Sequence, residues 1–174
     1  FFGRANYSYA NRYSITATLR ADGTSRFANN KWGIFPSVAL AWNIKNESFL
    51  EDVDAVSALK LRLSYGQTGQ QDVGGVYDAL PTYYHNTLGS YYPFGGYTDE
   101  TGLVHPIKPV GYNADLKWET TTTYNAGIDF GFLDNRITMS ADFYYRATKD
   151  LLNFTPVPAG ANLTNYLNAN IGDL

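Results

Sequence analysis

Hydrophobic and polar residues alternate with a period of two along most of the chain. In residues 136–150, RITMSADFYYRATKD, apolar side chains take every second place from Ile137 to Ala147, with polar or charged residues between them. Side chains on a β-strand point alternately to opposite faces, so this pattern predicts a strand with one apolar and one polar face. Comparable runs predict about six strands, at residues 1–10, 13–22, 34–44, 59–66, 118–133 and 136–150.

The connections between these strands differ in length. Short turns are predicted at residues 11–12 and 133–135, moderate connections at 23–33 and 46–58, and a long loop from about 67 to 117. Asn46 is expected to cap a single helical turn, and residues 153–174 are predicted to form a further loop. Short turns on one side and long loops on the other are typical of outer-membrane barrels, whereas a structureless loop of that length argues against a compact soluble domain.

Strand length and charge placement favour a membrane barrel over a soluble sheet. The clearest runs, residues 124–132 and 137–147, have the length of about 9–11 residues that a tilted strand needs to cross a bilayer. Charged residues fall on the polar face in mid-strand, which suits a wet or plugged lumen: Arg20, Arg62, Asp129, Asp142 and Arg146. The predicted fold is therefore all-β, with antiparallel strands forming part of a transmembrane β-barrel that has long extracellular loops.

The composition is rich in aromatic residues, with 15 Tyr, 10 Phe and 3 Trp in 174 residues. Tyr and Trp favour places where one end of the side chain is apolar and the other is wet, such as a membrane interface. Interface or lipid-facing positions are predicted for Tyr7, Tyr9, Trp42, Tyr65, Phe132 and Tyr145. The chain contains no Cys, so disulfides and thiolate metal sites are excluded, and a net charge of −3 gives no reason to expect nucleic acid.

Residues that could carry chemistry give no enzyme pattern. The loop GQTGQQDVGG lacks the Lys-Ser/Thr pair of a phosphate-binding loop, and no catalytic or EF-hand motif is present. His85 and His105 lie twenty positions apart without a metal-ligand spacing, so neither a metal nor a cofactor is expected. Asp129 and Asp142 are interpreted as lumen charges neutralised by Arg146, Arg136 or plug residues. The chain is predicted not to be an enzyme.

Three long stretches resemble one known family. They are NYSYANRYSITATLRADGTSRFANNKWGIFPSVALAWNI, LKLRLSYGQTGQ and NADLKWETTTTYNAGIDFGFLDNRITMSADFYYRATKDLL. In this order they are similar to the C-terminal half of the barrel in SusC/RagA-type TonB-dependent transporters. The resemblance implies a barrel of about 22 strands with an N-terminal plug, located in the outer membrane of a Bacteroidota-like bacterium. Residues 1–174 are then expected to be part of that barrel, with the plug and the remaining strands outside this chain.

The same resemblance implies a function and partners. Such transporters import oligosaccharides or peptides, are driven through TonB, and work with a SusD-like surface lipoprotein that acts as a lid. Aromatic residues of the long loop are the candidates for substrate contact, although packing on neighbouring loops or on the lid is an equal alternative: Tyr83, Tyr84, Tyr91, Tyr92, Phe94 and Tyr97. The competing functions are a soluble carbohydrate-binding β-sandwich, which would use the same tyrosines but would need shorter strands and an apolar interior, and a structural surface adhesin or fibre domain.

Overall fold

The dominant feature of the fold is one antiparallel sheet of six long strands. A computed structural model describes residues 1–50, 53–72, 74–85 and 107–174. The sheet has the order β1-β2-β3-β4-β7-β8, and two small hairpins pair β5 with β6 and β9 with β10. The bounds are β1 Phe2–Tyr9, β2 Tyr13–Gly23, β3 Trp32–Asn43, β4 Val56–Gln70, β5 Tyr83–His85, β6 Ile107–Pro109, β7 Glu119–Phe132, β8 Ile137–Lys149, β9 Leu152–Pro156 and β10 Tyr166–Asn170. Within the described ranges, no helix has the length and apolarity needed to span a membrane.

The two short turns fall where the sequence predicts them. Between β1 and β2, Ala10 and Asn11 both have positive φ, 50° and 52°, and Arg12 N–H donates to the Tyr9 carbonyl at 2.9 Å. This is the geometry of a type I′ hairpin turn. Between β7 and β8, the three residues 133–135 also have positive φ. Both turns and the described parts of the connection between β3 and β4, residues 44–50 and 53–55, lie at one end of the sheet, the turn end. Residues 24–31 and 110–118 lie at the opposite end, the loop end.

Four local predictions are wrong. β4 does not stop at residue 66 but continues to Gln70, which pairs with Glu119 at the start of β7. The predicted loop at 67–117 also contains the β5–β6 hairpin, and residues 153–174 contain most of the β9–β10 hairpin. Asn46 does not cap a helix: it is the last residue of a short 3₁₀ helix, Ile44–Asn46, and its side-chain amide donates to the Asn11 carbonyl at 2.8 Å.

Register places apolar side chains in continuous rows on one face of the sheet. One row, from β1 to β8, consists of Tyr7, Ile15, Leu40, Leu63, Ala126 and Phe143. The apolar run of β3 ends at Trp42, which lies in the row of Leu61 and Ile128, whereas the run of β7 continues to Phe132. The apolar band is therefore staggered from strand to strand, as expected when tilted strands share a barrel wall.

Within the described ranges, no second layer of residues packs on the apolar face. Met139 and Phe143 expose 58% and 75% of their surface, and other large apolar side chains on this face are similarly open. Among the residues that the structure describes, fully buried hydrophobic side chains are confined to the loop end, where Phe27, Ala79 and Leu116 form a small cluster. A soluble sandwich would bury one face of the sheet, so these residues contradict that alternative.

Candidate functional site

Charged side chains on the polar face form a network that spans three strands. The guanidinium of Arg62 on β4 donates through Nε and Nη2 to both carboxylate oxygens of Asp129 on β7, each at 2.9 Å. The same Nη2 lies 3.1 Å from Asp142 on β8, and the Ser140 hydroxyl donates to Asp129 at 2.6 Å. One cation thus serves two carboxylates in a bidentate, charge-assisted arrangement that fixes its orientation.

The network corrects the expected partner of the two aspartates. Neither Arg146 nor Arg136 neutralises them; Arg62 does, because Arg62, Gly127 and Asp142 share one register row. Gly127 is buried, and a Cβ at this position would overlap Asp142 Oδ1 and approach Arg62 Nη2 to 2.8 Å. Because Gly127 has no side chain, the guanidinium of Arg62 can pass over β7 and reach Asp142 on β8. Both carboxylates are held by hydrogen bonds, which fits a structural role.

The other two predicted polar-face residues lie apart from this network. Arg20 on β2 pairs with Asp22 at 2.6 Å, and its guanidinium carbon lies 5.5 Å from the centre of the Phe35 ring. Arg146 on β8 is exposed and registers with Thr123, and it has no ion pair within the part of the chain that the structure describes. The five residues therefore share one face but do not converge on a single site.

The loop end is tied together by asparagine side chains that donate to carbonyls of other segments. Asn29 and Asn30, between β2 and β3, donate to Ala114 and Leu116 at 3.2 and 3.3 Å. Asn170 on β10 donates to the Lys117 carbonyl and accepts from the Lys117 N–H, at 3.0 and 3.1 Å, so one amide imitates a strand neighbour. We call this set of segments, 24–31, 110–118 and 150–170, the loop platform.

An ion pair at the edge of the loop platform adds a second tie. Arg26 Nη1 lies 2.9 Å from Asp72, which also accepts from the Gly74 N–H. The backbone hydrogen bond, with the guanidinium, holds the pKa of Asp72 below its ordinary value. The pair connects the β2–β3 loop to the segment that follows β4.

The aromatic substrate candidates that the structure describes lie on β5. Tyr83 and Tyr84 are exposed, and Lys108 Nζ on the paired strand lies 5.9 Å from the centre of the Tyr84 ring. The hairpin joins the loop platform because Val110 N–H donates to the Thr82 carbonyl at 2.9 Å. Tyr91, Tyr92, Phe94 and Tyr97, together with His105, lie outside the described residues, as does the side chain of His85.

A carboxylate at the turn end, Glu47, was expected from the sequence only as part of a solvated acidic turn in the connection at 46–58, but it joins two aromatic residues and is only 12% exposed. Glu47 accepts hydrogen bonds from the Tyr13 hydroxyl at 2.6 Å, from Trp42 Nε1 at 3.0 Å and from Arg12 at 3.3 Å. The Tyr13 and Trp42 rings stack with centroids 6.1 Å apart. The Tyr13 and Trp42 hydrogen bonds, with the charge of Arg12, hold the pKa of Glu47 below its ordinary value. No spacing rule connects an acidic residue in a connection to aromatic residues on two strands.

Comparisons with known proteins agree with the geometry. The family model described as TonB dependent receptor-like, beta-barrel, matches residues 1–174. The chain is 51% identical over its whole length to TonB-dependent receptor SusC of Bacteroides thetaiotaomicron, and 38% identical over 99% of its length to TonB-dependent receptor P3 of Formosa agariphila. It covers 17% and 16% of these two relatives, respectively.

Solved structures show the same fold. The RagAB peptide importer in its closed-closed state matches with a TM-score of 0.82 at 30% identity, covering 99% of this chain and 18% of that one. Its open-open state matches with a TM-score of 0.75 at 31% identity, covering 97% of this chain and 17% of that one. The all-β fold and the resemblance inferred from the sequence are both confirmed. The chain belongs to the TonB-dependent receptor-like β-barrel family, and it corresponds to part of the barrel of its relatives.

Proposed function

We propose that this chain forms part of the wall of an outer-membrane active importer. The observation that carries the proposal is the division of the sheet into two unlike faces. The Arg62 network occupies one face, and the other presents exposed apolar rows with aromatic residues. In a barrel of this family such a division fits a polar lumen and a lipid-facing exterior. Hydrocarbon would cover the apolar face, and water or a plug would cover the charged face.

The substrate class in this proposal is an oligosaccharide or a peptide. A solved relative that matches the whole sheet is titled a peptide importer, and SusC is the relative with 51% identity. Energy would come through TonB, and a SusD-like lipoprotein would close the extracellular side; both would act together with segments outside this chain. The wall itself would not change the substrate chemically.

The loop platform is the part of this chain proposed to meet substrate. Amide-to-carbonyl bonds between its segments hold the loop bases, and the β5 hairpin presents Tyr83 and Tyr84 to solvent. An aromatic ring can stack on a sugar ring or on a peptide side chain, and a Tyr hydroxyl adds a hydrogen bond. A rigid base with exposed aromatic residues limits the entropy lost when a ligand is bound.

The test is uptake by cells that carry the complete transporter. Labelled oligosaccharide and labelled peptide pools are supplied to a deletion strain that carries either the wild-type gene or a variant. The test variant is Tyr83→Ala/Tyr84→Ala, and the control is Tyr7→Ala, on the apolar face of the six-stranded sheet. We expect protonophore-sensitive uptake of one pool, weakened in apparent affinity by the double variant and unchanged by the control. Uptake that neither requires the gene nor responds to the protonophore would reject the proposed import function.

A further inference from the structure

The apolar face of the sheet is not smooth but contains a groove. Ala126 on β7 lies in register between Leu63 on β4 and Phe143 on β8, so a single methyl group separates two large side chains. The resulting groove has a volume of about 400 Å³ and is bounded by Leu63, Tyr65, Tyr124, Phe143 and Tyr145. Val38 and Leu40 of β3 close its far side. Its floor lies on β4 and β7, which have a paired strand on both sides, and Phe143 and Tyr145 come from β8 at the edge of the described sheet.

Three tyrosines mark one end of the groove. Tyr65, Tyr124 and Tyr145 occupy one register row across β4, β7 and β8, on the loop-end side of Ala126. Their ring centroids are 5.2 Å apart for Tyr65 and Tyr124 and 6.4 Å apart for Tyr124 and Tyr145. Tyrosine prefers a site with one apolar and one wet end, as at the boundary between hydrocarbon and headgroups. The groove therefore has a defined polarity, with its wet end toward the long loops.

The chemistry of the lining selects the ligand. The lining is almost wholly apolar and contains no charged residue, so an ionic or highly polar ligand would lose hydration without compensation. An open apolar groove with tyrosines at one end matches a hydrocarbon chain that ends in an ester or a sugar. A second protein surface would have to insert a protruding side chain over Ala126, whereas a flexible acyl chain can follow the groove.

We propose that this groove is a specific site for one acyl chain of a membrane lipid, whose headgroup region lies against Tyr65, Tyr124 and Tyr145. The site goes beyond the proposed import function, and it rests on the same assignment of the apolar face to lipid. At this site a lipid would bind more tightly than the lipids that contact the rest of the apolar face. A lipid held here would fill the depression over Ala126 and extend the hydrophobic surface of β7.

The test uses the complete transporter in bilayers that contain phosphatidylethanolamine with a photoreactive diazirine in its acyl chain. Cross-linked peptides are mapped by mass spectrometry for the wild type, for Ala126→Phe, for the smaller addition Ala126→Leu, and for Ala141→Phe. Ala141 lies on the same face of β8 but outside the groove lining, so it is the matched control. Uptake by each variant is measured in parallel.

The expected result is a severalfold enrichment of cross-links at Leu63, Phe143 and Tyr145 over Ile15 and Met139 on the same face. Both Ala126 variants remove this enrichment, and Ala141→Phe keeps it. Even labelling of the apolar face in every protein would overturn the lipid site while leaving import intact. Labelling concentrated on the polar face, around Asp142, would overturn the lipid site and the face assignment together.

Discussion

Arg62 on β4 and Asp142 on β8 form an ion pair of 3.1 Å across an intervening strand, directly over Gly127. Adjacent strands lie about 4.7–4.9 Å apart, so a pair that skips a strand needs a long side chain and an open position between its ends. Arg supplies the length and Gly supplies the opening. The pair links β4, β7 and β8 beyond their backbone hydrogen bonds.

Gly127→Ala is expected to destabilise the barrel by up to about 1 kcal/mol, the usual scale for disrupting a partly exposed ion pair. The new Cβ would displace the Asp142 carboxylate and the Arg62 guanidinium. The matched control is Gly66→Ala on the same face, where a Cβ meets Ser37 Cβ at an ordinary 3.4 Å. Urea unfolding of the refolded transporter measures both; equal effects of the two variants would contradict the account.

Ala10→Gly is expected to stabilise the β1–β2 turn. Ala10 has a φ of 50°, in the left-handed region that costs a non-glycine residue about 1 kcal/mol. Glycine relieves that strain, so the free energy of unfolding should rise by up to this amount. Ala5→Gly in the middle of β1 is the control, and it should instead lower stability by about 0.5–1 kcal/mol. A loss of stability with Ala10→Gly would mean that the turn has another geometry.

Arginine substitutions along β8 should separate its two faces. Ile137→Arg, Ala141→Arg and Phe143→Arg place a charge on the apolar face and should each cost about 2–4 kcal/mol near the bilayer midplane, less near its rims. Thr138→Arg or Ser140→Arg on the polar face should cost less. Equilibrium folding of the complete barrel into lipid vesicles gives each difference. Equal penalties on the two faces would contradict the orientation.

Glu47 is expected to make the turn end sensitive to acid. Its folded pKa lies below the ordinary value of 4.5, so its contribution to stability is complete above about pH 4.5. That contribution is lost as the pH falls through the lower, folded value, when protonation removes the negative charge that strengthens the hydrogen bonds from Tyr13 and Trp42 to Oε1. Glu47→Gln should remove this part of the acid dependence, measured as the change in unfolding midpoint with pH. If Glu47→Gln and the wild type showed the same dependence of the unfolding midpoint on pH, Glu47 would not be the source of the acid sensitivity.

Asn170→Ala should loosen the loop platform without unfolding the sheet. The Asn170 side chain holds both backbone groups of Lys117 and donates to the Asp150 carbonyl at 2.7 Å. Hydrogen exchange of the Lys117 amide should therefore accelerate, by about tenfold if roughly 1.4 kcal/mol of local protection is lost. Asn153→Ala is the control because, among the described residues, its side chain accepts from the adjacent Phe154 N–H and joins no distant segment. Equal exchange rates of the Lys117 amide in the two variants would show that the Asn170 side chain does not protect it.

The long strands and their two faces could be predicted because alternation is local: each side chain's face follows from its place in its own strand. The short strands could not. β5, β6, β9 and β10 are brief, and their positions depend on distant contacts, such as the bond from Asn113 to the Asn168 carbonyl. A single sequence gives no register for such pairs.

The partner of the polar-face aspartates could not be predicted from the sequence either. The sequence places Asp129, Asp142 and Arg62 on the polar face, but three arginines were available to neutralise the two carboxylates. Only the register between β4, β7 and β8 selects Arg62, and only the absence of a side chain at Gly127 lets it reach Asp142. The hydrogen bonds of Glu47 could not be predicted for a related reason, since its aromatic partners come from two different strands.

The most direct test of the central claim is a spin-label scan of β8 in the complete transporter. Cysteines introduced one at a time from Ile137 to Ala147, in this cysteine-free chain, carry nitroxides in lipid bilayers. Collisions with oxygen should peak at positions 137, 139, 141, 143 and 145, and collisions with a water-soluble nickel complex should be lowest there. The opposite phase, or no alternation, would show that hydrocarbon does not cover the apolar face.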